Sequence, residues 1–218
     1  MYFPVTQTFD FFKDPHRIIK FANSLEYKDE DNHYPGRRSA NIHEVNYPLF
    51  ENINQKILSL FYPKKLAKYS YNAVANFQKI NYDEAKFMGK TGWIHDDGAD
   101  TLTAIIYLTP EKSTQGTSIY TSKQPMNNYE NPKIKYEYNR GLPVDENEYK
   151  IALNNHNNQF RKVSQFYSEF NSMICFDSNL FHGADFDLEP GEERLTYIVF
   201  FNKITASYFP RVECDVVL

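Results

Sequence analysis

Two histidines, an aspartate and an arginine carry most of the chemistry legible in this chain of 218 residues. His95 and Asp97 stand at i and i+2 in Trp93-Ile94-His95-Asp96-Asp97-Gly98, so in an extended segment both side chains point to one face. A His and a carboxylate converging in this way, joined by one distant His, form a facial triad that holds a non-haem Fe(II) and leaves coordination positions open. His182, in Phe181-His182-Gly183, is the histidine expected to complete it. It alone follows one strongly strand-like run, Ser172 to Phe176, and precedes another, Arg194 to Phe201. A His-x-Asp pair taken alone more often marks a histidine paired with a carboxylate on a turn, and Asp96 competes for the ligand role. Asp97 is preferred because Asp96 would face away from His95 in an extended segment.

Arg194 opens the run Arg194-Leu195-Thr196-Tyr197-Ile198-Val199-Phe200-Phe201, in which alternation puts Arg194, Thr196 and Phe200 on one face. An arginine turned into a sheet core is expensive unless it meets an anion. By itself it could equally sit at an exposed strand start, paired with Glu192 or Glu193. Beside a metal triad, a dicarboxylate co-substrate accounts for it better: one end chelates the metal, and Arg194 with Thr196 takes the far carboxylate.

These residues need a scaffold, and the pattern predicts helices first and strands afterwards. Asp14-Pro15 reads as an N-cap and first helical residue, with Ile18, Ile19, Phe21, Ala22 and Leu25 on one apolar side. A second helix is expected over Leu49 to Phe61, stopped by Pro63. Strands are expected over Tyr69–Tyr82, Thr101–Leu108, Gly116–Ser122 (after a turn at Lys112–Gln115), Ser172–Phe176 and Arg194–Phe201, with a looser one in Tyr2–Phe12. The order implies a β-sandwich or barrel with helices packed on one face, as one domain over 1–218: helical support over 1–67, then a β core over 68–218. A polar insertion interrupts the core at about 126–158. Its last part, Val144 to Phe160, reads as helical, and the whole is either a cover for a substrate mouth or a surface excursion.

Composition narrows the classes. Aromatic residues make up 17% of the chain, with 17 Tyr and 18 Phe, a level that favours strands and pocket walls. A net charge of −4 gives no electrostatic footprint for nucleic acid. No apolar run approaches the roughly 20 residues that span a bilayer, and since Met1-Tyr2-Phe3-Pro4-Val5 shows no basic stretch followed by an apolar one, no signal peptide is expected there. The two cysteines, Cys175 and Cys214, fit no zinc or redox spacing; Cys175 reads as a buried free thiol, and a reducing, cytoplasmic compartment is expected. His16, His33, His43 and His156 read as solvated or hydrogen-bonded surface histidines. Gly89-Lys90-Thr91 is not a phosphate loop, since position 84 is Glu84 rather than glycine.

The order His95-x-Asp97, Thr103-Ala104-Ile105-Ile106-Tyr107-Leu108, Gly116-Thr117, Phe181-His182 and Arg194-x-Thr196 resembles the Fe(II)/2-oxoglutarate-dependent dioxygenases, over Asn76 to Lys203. It looks closest to their prolyl-hydroxylase-like branch and to a related uncharacterised group with a Gly-Thr-x-x-Tyr strand. The resemblance implies a mainly β fold, a double-stranded β-helix or jelly roll, with the N-terminal helices on one sheet. It implies His95, Asp97 and His182 on Fe(II) and Arg194 on the far carboxylate of 2-oxoglutarate, with O2 as the oxidant consumed. Tyr107 matches a tyrosine that also bonds that carboxylate, and Tyr82 matches a tyrosine before the metal motif more loosely. Hydroxylation of a prolyl or other residue in a peptide is the leading expectation. Hydroxylation of a free small metabolite and a non-catalytic, cupin-like metal- or ligand-binding protein are the rivals. Neither the substrate nor the oligomeric state is written in the residues.

Overall fold

A computed structural model describes residues 3–28, 34–62, 68–98, 101–110, 116–123 and 132–210. The expected turn at Lys112–Gln115, the stop at Pro63, His33 and Cys214 lie outside these residues, as does the start of the polar insertion. In chain order the elements are β1 (Thr6–Thr8), α1 (Pro15–Asn23), β2 (Tyr27–Lys28), β3 (Arg37–Ser39), α2 (Ile42–Val45), α3 (Tyr47–Leu58), β4 (Tyr69–Asn81) and α4 (Tyr82–Met88). There follow β5 (Leu102–Tyr107), β6 (Gly116–Ser122), α5 (Lys133–Asn139), α6 (Glu146–Asn157), β7 (Phe160–Tyr167), β8 (Met173–Asp177), β9 (Phe181–Asp185) and β10 (Glu193–Ala206).

The strands form two antiparallel sheets, a seven-stranded one in the order β1-β8-β5-β10-β4-β3-β2 and a three-stranded one in the order β7-β6-β9. The fold is mainly β, a jelly roll. The long central strand β10 shows how one periodicity builds two cores. Leu195, Tyr197, Val199 and Phe201 join Phe77, Ala104, Ile106 and Cys175 in a cluster that the helices cover through Ala22, Phe50, Ile53 and Ile57. On the other face Ile198 and Phe200 meet Ile105, Tyr107, Ile174 and Ile119 between the sheets. The helices thus pack on one sheet, and the second face is left for the site. Cys175 is a buried free thiol, its pKa pushed up to about 12 by burial.

Element ends follow local chemistry. In α1 the Asp14 carboxylate accepts from the Arg17 N–H at 3.0 Å, with proline in the first turn. The second long helix starts at Tyr47, earlier than the expected Leu49, because Asn46 caps it through the Leu49 N–H and a proline opens it; it ends at Leu58 rather than Phe61. Helix α4, absent from the sequence-based expectation, ends the strand β4 through a capping box in which Asn81 and Glu84 satisfy each other's backbone N–H groups. The described part of the polar insertion contains two helices, α5 as well as the expected α6.

Those helices build a third cluster around Trp93. Its indole N–H donates to the Tyr149 hydroxyl at 2.7 Å, and Phe87 of α4 stacks on Tyr138 of α5 with centroids 4.3 Å apart. His156 corrects an expectation: it is buried, not a surface histidine. Tyr149, Leu153 and His156 form the inner stripe of α6, and His156 Nε2 bonds the Ile94 carbonyl at 2.7 Å. His16 and His43 are exposed, as expected.

Candidate metal centre and anion pocket

The segment from Thr91 to His95 lies antiparallel beside β9. His95 and His182 are direct partners in an isolated bridge and exchange both backbone bonds, His95 N–H to His182 O at 2.9 Å and His182 N–H to His95 O at 2.7 Å. Directly opposed residues of an antiparallel pair present their side chains on the same face, which brings the two imidazoles together with ring centroids 4.5 Å apart. Helix α6 holds this segment in place: Asn157 accepts from the Ile94 N–H and donates to the Gly92 carbonyl, both at 3.1 Å. Asp97 is anchored by its own N–H, which donates to the Ser178 carbonyl at 2.9 Å.

In each imidazole Nδ1 faces a carbonyl, Trp93 O at 2.8 Å for His95 and Leu180 O at 2.9 Å for His182. A proton on Nδ1 donates there and leaves both Nε2 lone pairs for a metal. Those atoms face the Asp97 carboxylate, His95 Nε2 at 3.7 Å from Oδ1 and His182 Nε2 at 3.6 Å from Oδ2. Two ligand atoms each about 2 Å from one ion lie at most about 4 Å apart. Each histidine's distance to Asp97 meets that condition, and one ligand atom from each of the three residues falls within 4.8 Å of the others. The Thr103 hydroxyl donates to Asp97 Oδ2 and lies 2.9 Å from the Ser178 hydroxyl, so the carboxylate is oriented from behind. His95 keeps 36% of its side-chain surface accessible where it lines a cavity. It is otherwise deeply set, and burial, then His182, push its pKa down to about 3. A neutral imidazole is the form that binds a metal.

Arg194 lies on the wall of the same cavity, which measures about 140 Å3. It is 4% exposed, and its Nη2 donates to the Gly116 carbonyl at 3.4 Å. Its Nε is buried and has no hydrogen-bond partner. Glu193 is taken by Arg37 at 2.8 Å and Lys79 at 3.0 Å, so it is not the partner that would have made Arg194 a surface residue. The guanidinium stands 5.5 Å from the Tyr107 ring and 5.6 Å from the Phe186 ring. Burial lowers its pKa, yet an arginine remains charged at neutral pH. A buried cation with an idle donor suits a carboxylate.

The other sequence-derived residues are distributed around it. Thr196 is buried and directly opposite Tyr107 on one side and Gln78 on the other. The Tyr107 hydroxyl donates to Thr117 Oγ1 at 2.8 Å, and Thr117 rather than Tyr107 borders the cavity. Tyr82 opens α4 and packs with the cluster around Trp93, away from the cavity wall. Residues that the sequence reading passed over also border the cavity, chiefly Arg38, Gln78, Lys135 and Asn139.

Comparison with known proteins places this geometry. Residues 4–201 match the family described as "Family of unknown function (DUF6445)", and the chain belongs to it. No curated protein matches in sequence. Among solved structures, an oxidoreductase of the 2OG-Fe(II) oxygenase family from Burkholderia pseudomallei is similar at a TM-score of 0.53 and 9% identity, covering 90% of this chain and 83% of its own. The epimerase SnoN from nogalamycin biosynthesis is similar at a TM-score of 0.51 and 10% identity, over 94% of this chain and 80% of that one. SnoN in complex with Fe3+, alpha ketoglutarate and nogalamycin RO reaches 0.53 at 10% identity, over 94% and 81%. At such identities the likeness is one of fold, and the fold is that of the 2OG-Fe(II) oxygenases.

Proposed function

We propose that this member of the DUF6445 family is an Fe(II)- and 2-oxoglutarate-dependent dioxygenase that hydroxylates its substrate. One observation carries the reading: a convergent His95–Asp97–His182 triad and a buried arginine with an unsatisfied Nε open onto one cavity. When bound, Fe(II) with 2-oxoglutarate and O2 supplies the oxidation and releases succinate and CO2. The chain's own part is position and charge. His95 and His182 offer Nε2 because Trp93 and Leu180 hold their Nδ1 protons. Asp97 supplies the anionic ligand, its orientation fixed by Thr103. Arg194 takes the far carboxylate of 2-oxoglutarate, with Tyr107 and Thr117 as a hydroxyl pair beside it and Thr196 next along the strand. The apolar walls, among them Ile105, Ile198 and Phe186, exclude water and strengthen each of these interactions. Tyr82 has no such place and is left out of the machinery.

Of the two substrate classes expected, the cavity among the described residues suits a free small molecule better than a residue in a peptide, which needs an open groove for its flanking chain. The test of the oxygenase reading is anaerobic titration with Fe(II) and 2-oxoglutarate, following the weak visible charge-transfer band of the chelate. Wild type should develop the band and His182→Ala should not. Arg194→Met should need roughly ten- to hundredfold more 2-oxoglutarate, the loss of a charge-assisted pair. A wild-type protein without the band would sink the reading and leave the binding-protein rival.

A further inference from the structure

A second arginine, partly buried, borders the cavity. Arg38 comes from β3, directly opposite Gln78 of β4, and its Cζ lies 3.5 Å from the Tyr34 ring centroid and 5.3 Å from that of Phe200. The turn before it is drawn tight against β4: Gly36 has φ +75, a Cβ there would stand 2.2 Å from the Lys79 carbonyl oxygen, and Gln78 Nε2 donates to the Pro35 carbonyl at 2.7 Å. The Nε of Arg38 is buried without a hydrogen-bond partner, and it forms no ion pair among the described residues. Burial presses its pKa down to about 10, so it is still charged at neutral pH.

The two arginines serve different ends of the site. Phe200 and Arg194 are six residues apart on β10 (200 − 194), which is about 20 Å of strand. Phe200 is directly opposite Thr103, whose hydroxyl holds Asp97. The Arg38 backbone is level with Thr196 through Gln78, but its side chain runs along the strands to the Phe200 ring, where Asp97 attracts the guanidinium. Arg194 is attracted instead by Asp185. Charge makes the same division. The dication, the dianionic co-substrate, the Asp97 carboxylate and the Arg194 guanidinium cancel, and the charges of Arg38 and Lys135 remain.

Helix α5 brings further donors to this side, pinned by the stacking of Tyr138 on Phe87. Lys135 and Asn139, one turn apart, both border the cavity. The Asn139 Nδ2 is buried without a partner, and Lys135 is 8% exposed. A guanidinium, an ammonium and an amide N–H2 are all donors. Of these, Arg38 Nε and Asn139 Nδ2 are buried without an acceptor.

We propose that the substrate is a small carboxylic acid with an apolar body, its carboxylate held beside the metal by Arg38 and Asn139 with Lys135 close by. The inference rests on the oxygenase reading and deepens it. An arginine whose Nε and Nη face one way matches a carboxylate through two parallel bonds, which an amide or alcohol cannot reproduce.

The test uses the full chain loaded anaerobically with Fe(II) and 2-oxoglutarate. It is titrated with a panel of aliphatic and phenyl-substituted monocarboxylates, each paired with its primary amide, and read by perturbation of the chelate band and by melting temperature. Acids should bind and their amides should not. Arg38→Met should weaken acid binding roughly ten- to hundredfold while the demand for 2-oxoglutarate is unchanged. Asn139→Ala, on a separate element, should weaken it in the same sense. Amides binding as well as acids, no acid binding, or acid affinity surviving in both variants would each overturn the proposal. So would an Arg38→Met protein that needs as much extra 2-oxoglutarate as Arg194→Met, since Arg38 would then serve the co-substrate. Absence of the band in wild type would instead fell the oxygenase reading, and acid-against-amide shifts in melting temperature would still decide the carboxylate subsite.

Discussion

Arg194 is the side chain whose place is hardest to account for without an anion. Burying a cation costs several kcal/mol unless partners replace the lost water. Among the described residues Arg194 has one hydrogen bond, to the Gly116 carbonyl at 3.4 Å, two ring faces and the more distant attraction of Asp185. Arg38 repeats the pattern on the side of the proposed metal centre. Single residues behind the ligands matter for a different reason. Thr103 is not one of the three proposed ligands, yet its hydroxyl fixes the Asp97 carboxylate, and groups that orient metal ligands commonly carry about 10–100-fold in metal affinity. Thr103→Val keeps the shape of the side chain and removes that bond. Competition against a chromogenic chelator should show a loss of that size, with the melting temperature of the metal-free protein little changed. Equal affinities in the two proteins would deny the threonine its orienting part.

At the scale of elements, the meeting of β6 and β7 depends on one glycine. A Cβ at Gly116 would stand 1.9 Å from the Phe166 carbonyl oxygen, a backbone atom that cannot swing away. Gly116→Ala should part the two strands and cost about 1–3 kcal/mol, read from denaturant unfolding. Because the Gly116 carbonyl is the acceptor for Arg194, the same variant should also need more 2-oxoglutarate to form the chelate. The legibility of the chain divides along this scale. His95, Asp97, His182 and Arg194 were readable because strand alternation converts spacing directly into facing, and β10 keeps that alternation. Lys135 and Asn139 were not, because α5 follows a proline without a side-chain cap and its sequence carries no clear apolar stripe. Arg38 sits on a three-residue strand whose neighbours are polar; only the fold shows which way it turns. His156 could have been read: Tyr149, Leu153 and His156 have helical spacing, and the Asn-rich surroundings concealed it.

For the molecule as a whole, the site has a cost in stability. Burial lowers the Lys135 pKa to about 8, below the 10.5 of an ordinary lysine, despite the attraction of Asp97 and Asp96. The unfolded chain therefore binds the extra proton between those values, so the cost of the buried charge is complete below about pH 8 and fades as pH rises towards 10.5. Lys135→Met should raise stability at pH 7 by at most about 3 kcal/mol, with the gain vanishing near pH 10.5. Melting curves of both proteins from pH 7 to 10.5 test this; a gain that grows with pH would reverse the assignment. No described helix is long and apolar enough to cross a membrane.

The backbone bridge between His95 and His182 has an implication for how such a site is inherited and lost. The two ligands face each other because of pairing phase, not merely because of their identity, and a slip of one residue turns a strand's side chains to the opposite side. A single-residue insertion between Thr91 and His95 would leave every ligand in the sequence and still dismantle the centre. Among descendants of this chain, an intact His-x-Asp and a distant His would then be a fossil of the metal site rather than a sign of it.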